Sequence, residues 1–295
     1  MNDRSDRWLP WLYSLPMVGF VALTFAYPML CLLSYSLQHV GRSAYLPSRF
    51  VGLANFRYIA ADSLFHGAIA NNLRLFLCVP VLLVLSVLLS QILHDRPRGW
   101  KIYRSLLFIP YILSIPVVGV VFGYLFQYQG QLNTGLRALG FDGLALDWLG
   151  NPGLAMPTIM FVIIWKELGF GIILCMARLS SVGEHYFEAA RVDGANWLQV
   201  IRFVTVPQLA PTLAFYAIVE LINMLSWVFA YIYVMTLGGP QNSTVVTEFY
   251  IYQQVFQNSQ IGVGAAAGVV LLGIVTVLLV TRQWLTRKLA VYEGE

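Results

Sequence analysis

Ser105-Leu-Leu-Phe-Ile-Pro-Tyr-Ile-Leu-Ser-Ile-Pro-Val-Val-Gly-Val-Val-Phe-Gly-Tyr-Leu-Phe-Gln127 decides the fold class. It holds no Asp, Glu, Lys or Arg, and the charge-free stretch continues to Leu136. A helix crosses the hydrocarbon core of a bilayer with about 20 mainly apolar residues. Trp8 to Gly41 and Phe249 to Thr281 are equally free of charge. Across the 295 residues, 58% are apolar and 11% charged, against roughly 25% charged in soluble domains. These numbers exclude a soluble globular domain and a disordered chain. The class is an all-α integral membrane protein.

Six transmembrane helices are expected, at about 11–37, 75–93, 105–127, 154–177, 212–236 and 261–281. They form one domain, 1–295. Pro10, Pro16 and Pro28 predict a kinked first helix, retained rather than cleaved as a signal peptide. Twelve of the eighteen basic residues fall on the side of the two termini and five on the other, with Lys166 inside a span. Basic residues collect on the cytoplasmic side, so both termini are placed in the cytoplasm. The net charge of +4 reads as loop charge and gives no reason to invoke nucleic acid.

Several chemistries are absent. A P-loop needs Gly-Lys followed by Ser or Thr, and none of Lys101, Lys166 and Lys288 follows a glycine. His39, His66, His94 and His185 form no His-Glu-x-x-His and none sits mid-span, so no catalytic residue and no metal ligand is assigned. Cys31, Cys78 and Cys175 fall in apolar stretches, which argues against a disulfide framework.

The cytoplasmic segment 178–211 carries the most information. Helix formers lead up to Asp193-Gly194, a strong break, because glycine takes the left-handed conformation that ends a helix. Trp197, Val200, Ile201 and Val204 then share one face, and Pro207 is expected to stop that helix. Two such short helices need something to pack on. The spacing Glu188-Ala189-Ala190, three residues, Gly194, nine residues, Val204-x-Val206-Pro207 resembles the EAA loop of permease subunits of binding-protein-dependent ABC importers. Tyr186 to Ala195, Phe50 to Phe56, Arg104 to Gly119 and Thr236-Leu237-Gly238-Gly239-Pro240 are similar to the carbohydrate-uptake branch. An amphipathic loop lying on the membrane surface is the plain alternative.

The resemblance covers almost the whole chain. It implies a type I ABC importer permease fold in a bacterial inner membrane. It implies a multi-pass translocation subunit, not an enzyme, for a sugar or sugar-like solute. It implies four partners: a second homologous permease, two ATP-binding subunits and an extracytoplasmic solute-binding protein. ATP and magnesium would sit in the partner subunits, with no cofactor on this chain. Glu188, Ala189, Ala190, Asp193, Gly194 and Pro207 would form the ATPase-coupling element. Importers of the same architecture for glycerol phosphate or an amino acid remain alternatives, with a channel or an intramembrane enzyme further behind.

Polar groups inside the spans mark candidate path residues. Lys166 and Glu167 are costly at mid-membrane; as neighbours about 100° apart on a helix they need not pair. They either tie helices together or line the path. Glu220, Asn223, Trp227 and Tyr231 follow i, i+3, i+7, i+11 on one helical face. Such a stripe offers hydrogen bonds to hydroxyls and rings to a sugar face, or else interhelical bonds and an aromatic belt. The small-residue steps Gly119/Gly123 and Gly264/Gly268 read as close helix packing.

Overall fold

A computed structural model describes residues 9–40 and 48–292, with side chains over 13–40 and 48–281. Arg4 and Arg7, part of the inside charge count, lie outside the described residues. The chain opens with α1 (Leu9–Val21), a π-helical turn (Ala22–Ala26) and α2 (Tyr27–Ser36). Strands β1 (Gln38–His39) and β2 (Arg49–Phe50) pair antiparallel, Gln38 opposite Phe50. Next come α3 (Ala54–Ala61), α4 (Ser63–Leu75), α5 (Cys78–His94), α6 (Trp100–Ile112) and α7 (Ile115–Leu125). A connection with α8 (Gln131–Ala138) and a 3-10 turn (Asp142–Leu144) leads to α9 (Pro152–Leu179). Then follow α10 (Glu184–Val192), α11 (Trp197–Val200), a π-turn (Ile201–Thr205), α12 (Val206–Ser226) and α13 (Phe229–Met235). The chain closes with α14 (Thr247–Tyr252), a third π-turn (Gln253–Gln257) and α15 (Ile261–Tyr292).

Among the described residues, five helical runs are long and apolar enough to span a membrane: Tyr13–Ser36, Ser63–His94, Pro152–Leu179, Trp197–Ser226 and Ile261–Thr281. The expected span 105–127 is not one straight helix. It is α6 and α7, bent by 99° at Leu113-Ser114, and counts as a sixth span only as that pair. The cause is proline: Pro116 has no N–H to bond the carbonyl of Ile112, and Leu113 and Ser114 are extended. The expected span 75–93 begins earlier, because α4 converts part of the supposed outer loop into helix. The expected span 212–236 starts at Trp197 and breaks at Trp227-Val228, leaving α13 as a separate helix.

Pro207 does not stop the helix, contrary to expectation. The N–H of Val206 reaches the carbonyl of Ile201, five residues back, and Pro207 follows. The same arrangement, Tyr27 N–H to Ala22 O, precedes Pro28. A proline ring crowds the carbonyl four residues before it. One π-turn moves that carbonyl aside and lets the helix run on.

The chain divides into two compact units. In the first, α1–α3 associate with the segment from Tyr250 to Leu279. Asn55 Nδ2 donates to the carbonyls of Ser36 (2.9 Å) and Gln38 (2.9 Å), and Tyr250 donates to Asp62 Oδ2 at 2.7 Å. A Cβ on Gly262 would collide with Gln38 O; one on Gly264 would strike Val255; one on Gly268 would press Leu32. The glycine stripe of α15 is therefore a packing surface in this unit.

In the second unit, which includes Leu64–Phe249, α9 is the central helix, flanked by α5, α6 and α12. Asn151 caps it, accepting from Gly153 N at 2.8 Å, with Pro152 at its first position. Gly169 faces Leu107 O, and Gly171 faces Ser86 and Tyr216, with no room for a Cβ at either. Asn72 ties α4 to distant chain. It accepts from the N–H and hydroxyl of Thr247, both 2.8 Å, and donates to Met224 O at 3.1 Å.

Candidate functional site

The break in the third span builds the first feature. Because α6 ends at Ile112, the carbonyls of its last turn lack helical partners and carry the negative end of the dipole. Lys166 on α9 sits there: Nζ lies 3.4 Å from Tyr111 O, 5.2 Å from the Tyr111 ring centre and 3.1 Å from Glu167 Oε1. The two neighbours therefore do pair, where the sequence left that open. Both are buried, 5% and 8% exposed. A buried charge needs a partner more than it needs an ideal rotamer. Tyr111 stacks on Phe170, centres 5.1 Å apart and 11° from parallel.

A cavity of about 440 Å³ opens between α6, α7, α9, α12 and α13. Lys166, Glu167, Asn223, Trp227 and Tyr231 all line it. The wall adds Tyr111 and Phe170, which the sequence reading missed. The stripe Glu220, Asn223, Trp227, Tyr231 does not run along one helix, since the backbone breaks at Trp227-Val228. Its upper three members still reach one space. Trp227 is 63% exposed, whereas Tyr231 is buried. Glu220 is the exception. It is fully enclosed, lies outside the cavity lining, and neither carboxylate oxygen has a hydrogen-bond partner among the described residues.

The second feature is the loop after α9. Helix α10 ends in a Schellman motif: Gly194 (φ +76°) donates to Arg191 O at 3.1 Å and Ala195 to Ala190 O at 2.9 Å. Asn196 then starts the next helix with a capping box. It accepts from Gln199 N at 2.9 Å, and Gln199 Oε1 accepts from Asn196 N at 2.7 Å. The paired helices are anchored by apolar burial. Phe187, Val200, Ile201 and Leu209 join Val87, Cys175 and Leu179 in one cluster. Trp197, expected on that buried face, is instead half out, its indole N–H donating to Asp95 Oδ2 at 3.2 Å.

Anchoring leaves the opposite surface free. Glu188, Ala189, Asp193 and Gly194 are exposed, Ala190 half-buried. Asp95, unmarked in the sequence, holds the pair from α5. It accepts from Gln91 Nε2 at 3.1 Å and faces Arg191 Nη2 at 3.9 Å. Pro207 takes no part in the exposed surface of α10; it sits at the start of α12 behind the π-turn.

Spanning helices around a cavity with a charged and aromatic wall, and a rigidly capped helix pair at their base, define a membrane transport permease. The chain belongs to the family described as binding-protein-dependent transport system inner membrane component, whose model matches residues 59–291. The lactose transport system permease of Rhizobium radiobacter is 30% identical over 84% of this chain and 83% of its own length. The sn-glycerol-3-phosphate transport system permease of Escherichia coli O157:H7 is 31% identical over 93% and 92%. A crystal structure of a bacterial alginate ABC transporter, in complex with an alginate pentasaccharide-bound periplasmic protein, superposes with a TM-score of 0.81. It shows 25% identity and covers 97% of this chain and 96% of the other. The fold is that of an ABC importer permease.

Proposed function

We propose that this chain is the translocation subunit of an ATP-driven importer for a sugar or sugar-like solute. An external binding protein delivers the solute. A second permease and two ATPase subunits complete the machine, with ATP and magnesium held in the latter. The observation that carries this reading is the cavity of α6, α7, α9, α12 and α13. It presents an amide (Asn223), a carboxylate (Glu167) and exposed and stacked rings (Trp227, Tyr111) around one space. Hydroxyls need donors and acceptors, and the apolar face of a pyranose needs a ring to lie on.

Glu188, Ala189 and Ala190 with Asp193 and Gly194 form the docking surface for an ATPase subunit. Small side chains permit close approach, and the Schellman turn fixes its angle. Movement there passes to the cavity directly, since α11, the π-turn and α12 form one helical run from the loop to Ser226.

A phosphorylated glycerol is the competing solute, and one relative carries such a name. This cavity argues against it, because its one cation among the described residues, Lys166, is already paired with Glu167. The test is uptake by membrane vesicles containing the assembled importer. A panel of mono-, di- and oligosaccharides is compared with glycerol phosphates, each delivered by the cognate binding protein. Uptake of a saccharide is expected. Uptake confined to glycerol phosphate or an amino acid overturns the solute class and leaves the importer assignment standing.

A further inference from the structure

We propose that the coupling-loop end of the second unit holds the phosphate of an anionic phospholipid. A cavity of about 350 Å³, distinct from the one above, lies between the end of α5, the start of α6, the end of α9 and α10. Arg96, Arg104 and Arg191 border it from three directions in the chain, with Trp100 beside them.

Charge accounting favours an anion. Arg96 and Arg104 form no ion pair among the described residues, and Arg191 reaches Asp95 Oδ1 only at 3.9 Å. Asp95 also borders the space, but its oxygens already accept from Gln91 and Trp197. Glu184 is the opposing group, placed in the first turn of α10 where the helix dipole favours it. Arg98 and Lys101 add two cations to the same short segment, and no acidic residue occurs from Arg96 to Phe141. Guanidinium groups match phosphate oxygens in pairs.

The source of the phosphate follows from α6. Leaving the cavity, it exposes Ile102, Tyr103, Leu106 and Ile109, each at least half exposed. Trp100 and Tyr103 are the kind of rings that collect where headgroups meet the apolar core. A free phosphate ion has no use for that apolar flank; acyl chains do. Basic pockets between helix ends on the cytoplasmic side suit anionic headgroups. Because Arg191 belongs to α10, a bound lipid would brace the coupling helix against α6.

The experiment is native mass spectrometry of the full-length chain, delipidated and then titrated with phosphatidylglycerol or phosphatidylcholine. Phosphatidylglycerol adducts are expected at far lower lipid concentration. In the doubly substituted Arg96→Gln/Arg104→Gln chain that preference should fall by about thirtyfold, from the usual contribution of two interfacial arginines. The Arg96→Lys/Arg104→Lys chain, which keeps the charges, should retain part of it, and this separates loss of binding from loss of fold. Equal retention of both lipids by the natural chain overturns the proposal. So does an unchanged preference in the Gln pair, or displacement of the lipid by millimolar inorganic phosphate.

Discussion

The Thr205 hydroxyl donates to Gln91 Oε1 at 2.7 Å, both residues fully buried. They lie 114 positions apart. This bond joins the π-turn below Pro207 to α5, at the point where the loop after α9 becomes a span. Gln91 also reaches Asp95, so one short relay connects the widened helix to the carboxylate that holds Trp197 and Arg191.

Substituting Thr205→Val keeps the shape and leaves Gln91 Oε1 without its donor. An unpaired buried acceptor costs about 1–3 kcal/mol. We expect the melting temperature of the purified chain to drop by a few degrees, as followed by tryptophan fluorescence. Transport should fall further than stability, because the relay sits on the proposed coupling route. An unchanged melting temperature would show that the bond contributes nothing.

Gly194 sits at φ +76° with open space where a Cβ would stand. Gly194→Ala therefore tests backbone conformation with no clash, at a cost of about 1 kcal/mol. Asn tolerates the left-handed region better, so Gly194→Asn should lose less. Pull-down of ATPase subunits and uptake should rank natural chain, Asn, Ala. Glu188 is exposed, so Glu188→Arg should leave the fold intact and abolish the pull-down; undiminished capture would remove Glu188 from the docking surface.

Much of the fold was legible in the sequence because a bilayer requires long charge-free segments, and those are local. The turn at Gly194 was legible for the same reason: its cause is one residue. What the sequence concealed depends on distant partners or on compensation. Nothing near Asn72 announces Thr247. Asp95 looks like ordinary loop charge until Trp197 folds onto it. Pro207 reads as a stop unless the π-turn is known, and Pro116 turns a seemingly continuous span by 99° although no charged residue lies near it. Of the candidate path residues, all but Glu220 line one cavity, but Tyr111 enters that wall only because of the bend.

Glu248, outside the spans, gives a pH signature. Among the described residues its Oε1 is enclosed without a hydrogen-bond partner, and Oε2 accepts from Asn72 Nδ2 at 3.3 Å. Burial raises its pKa above the ordinary glutamate value. The folded state then binds the proton more tightly than the unfolded chain. The stabilisation is complete below the unfolded value of about 4.3 and is lost as pH rises through the folded pKa. Melting temperatures of the natural chain and Glu248→Gln, taken from pH 5 to 8, should diverge. The natural chain should lose stability relative to the Gln variant as pH rises; parallel curves would contradict this.

The Lys166–Glu167 pair can be separated into its structural and transport roles. Lys166→Met leaves a buried carboxylate uncompensated, a cost of roughly 3–5 kcal/mol, and should sharply reduce the amount of assembled permease. Lys166→Met with Glu167→Gln removes both charges, so assembly should return, as quantified by blotting the membrane fraction. If uptake per assembled complex also returns, the pair only ties α9 to the end of α6. We expect it to remain low, because Glu167 lines the cavity.

Within the former stripe the geometry separates two behaviours. Trp227 is mostly exposed and borders the cavity, while Glu220 is enclosed one turn before Asn223 and does not line it. Trp227→Ala and Asn223→Ala should therefore leave membrane levels near normal and cut uptake severalfold, mainly through loss of ring stacking and an amide contact of about 1 kcal/mol each. Glu220→Gln should behave in the opposite sense. A buried carboxylate without hydrogen-bond partners is more costly than an amide of the same shape, so this variant should assemble at least as well as the natural chain. Uptake measured per assembled complex distinguishes them. Full activity in both Trp227→Ala and Asn223→Ala would place the solute elsewhere. A large uptake defect in Glu220→Gln at normal assembly would mean that the carboxylate becomes accessible in another conformation of the transport cycle, and that all four positions act on the path.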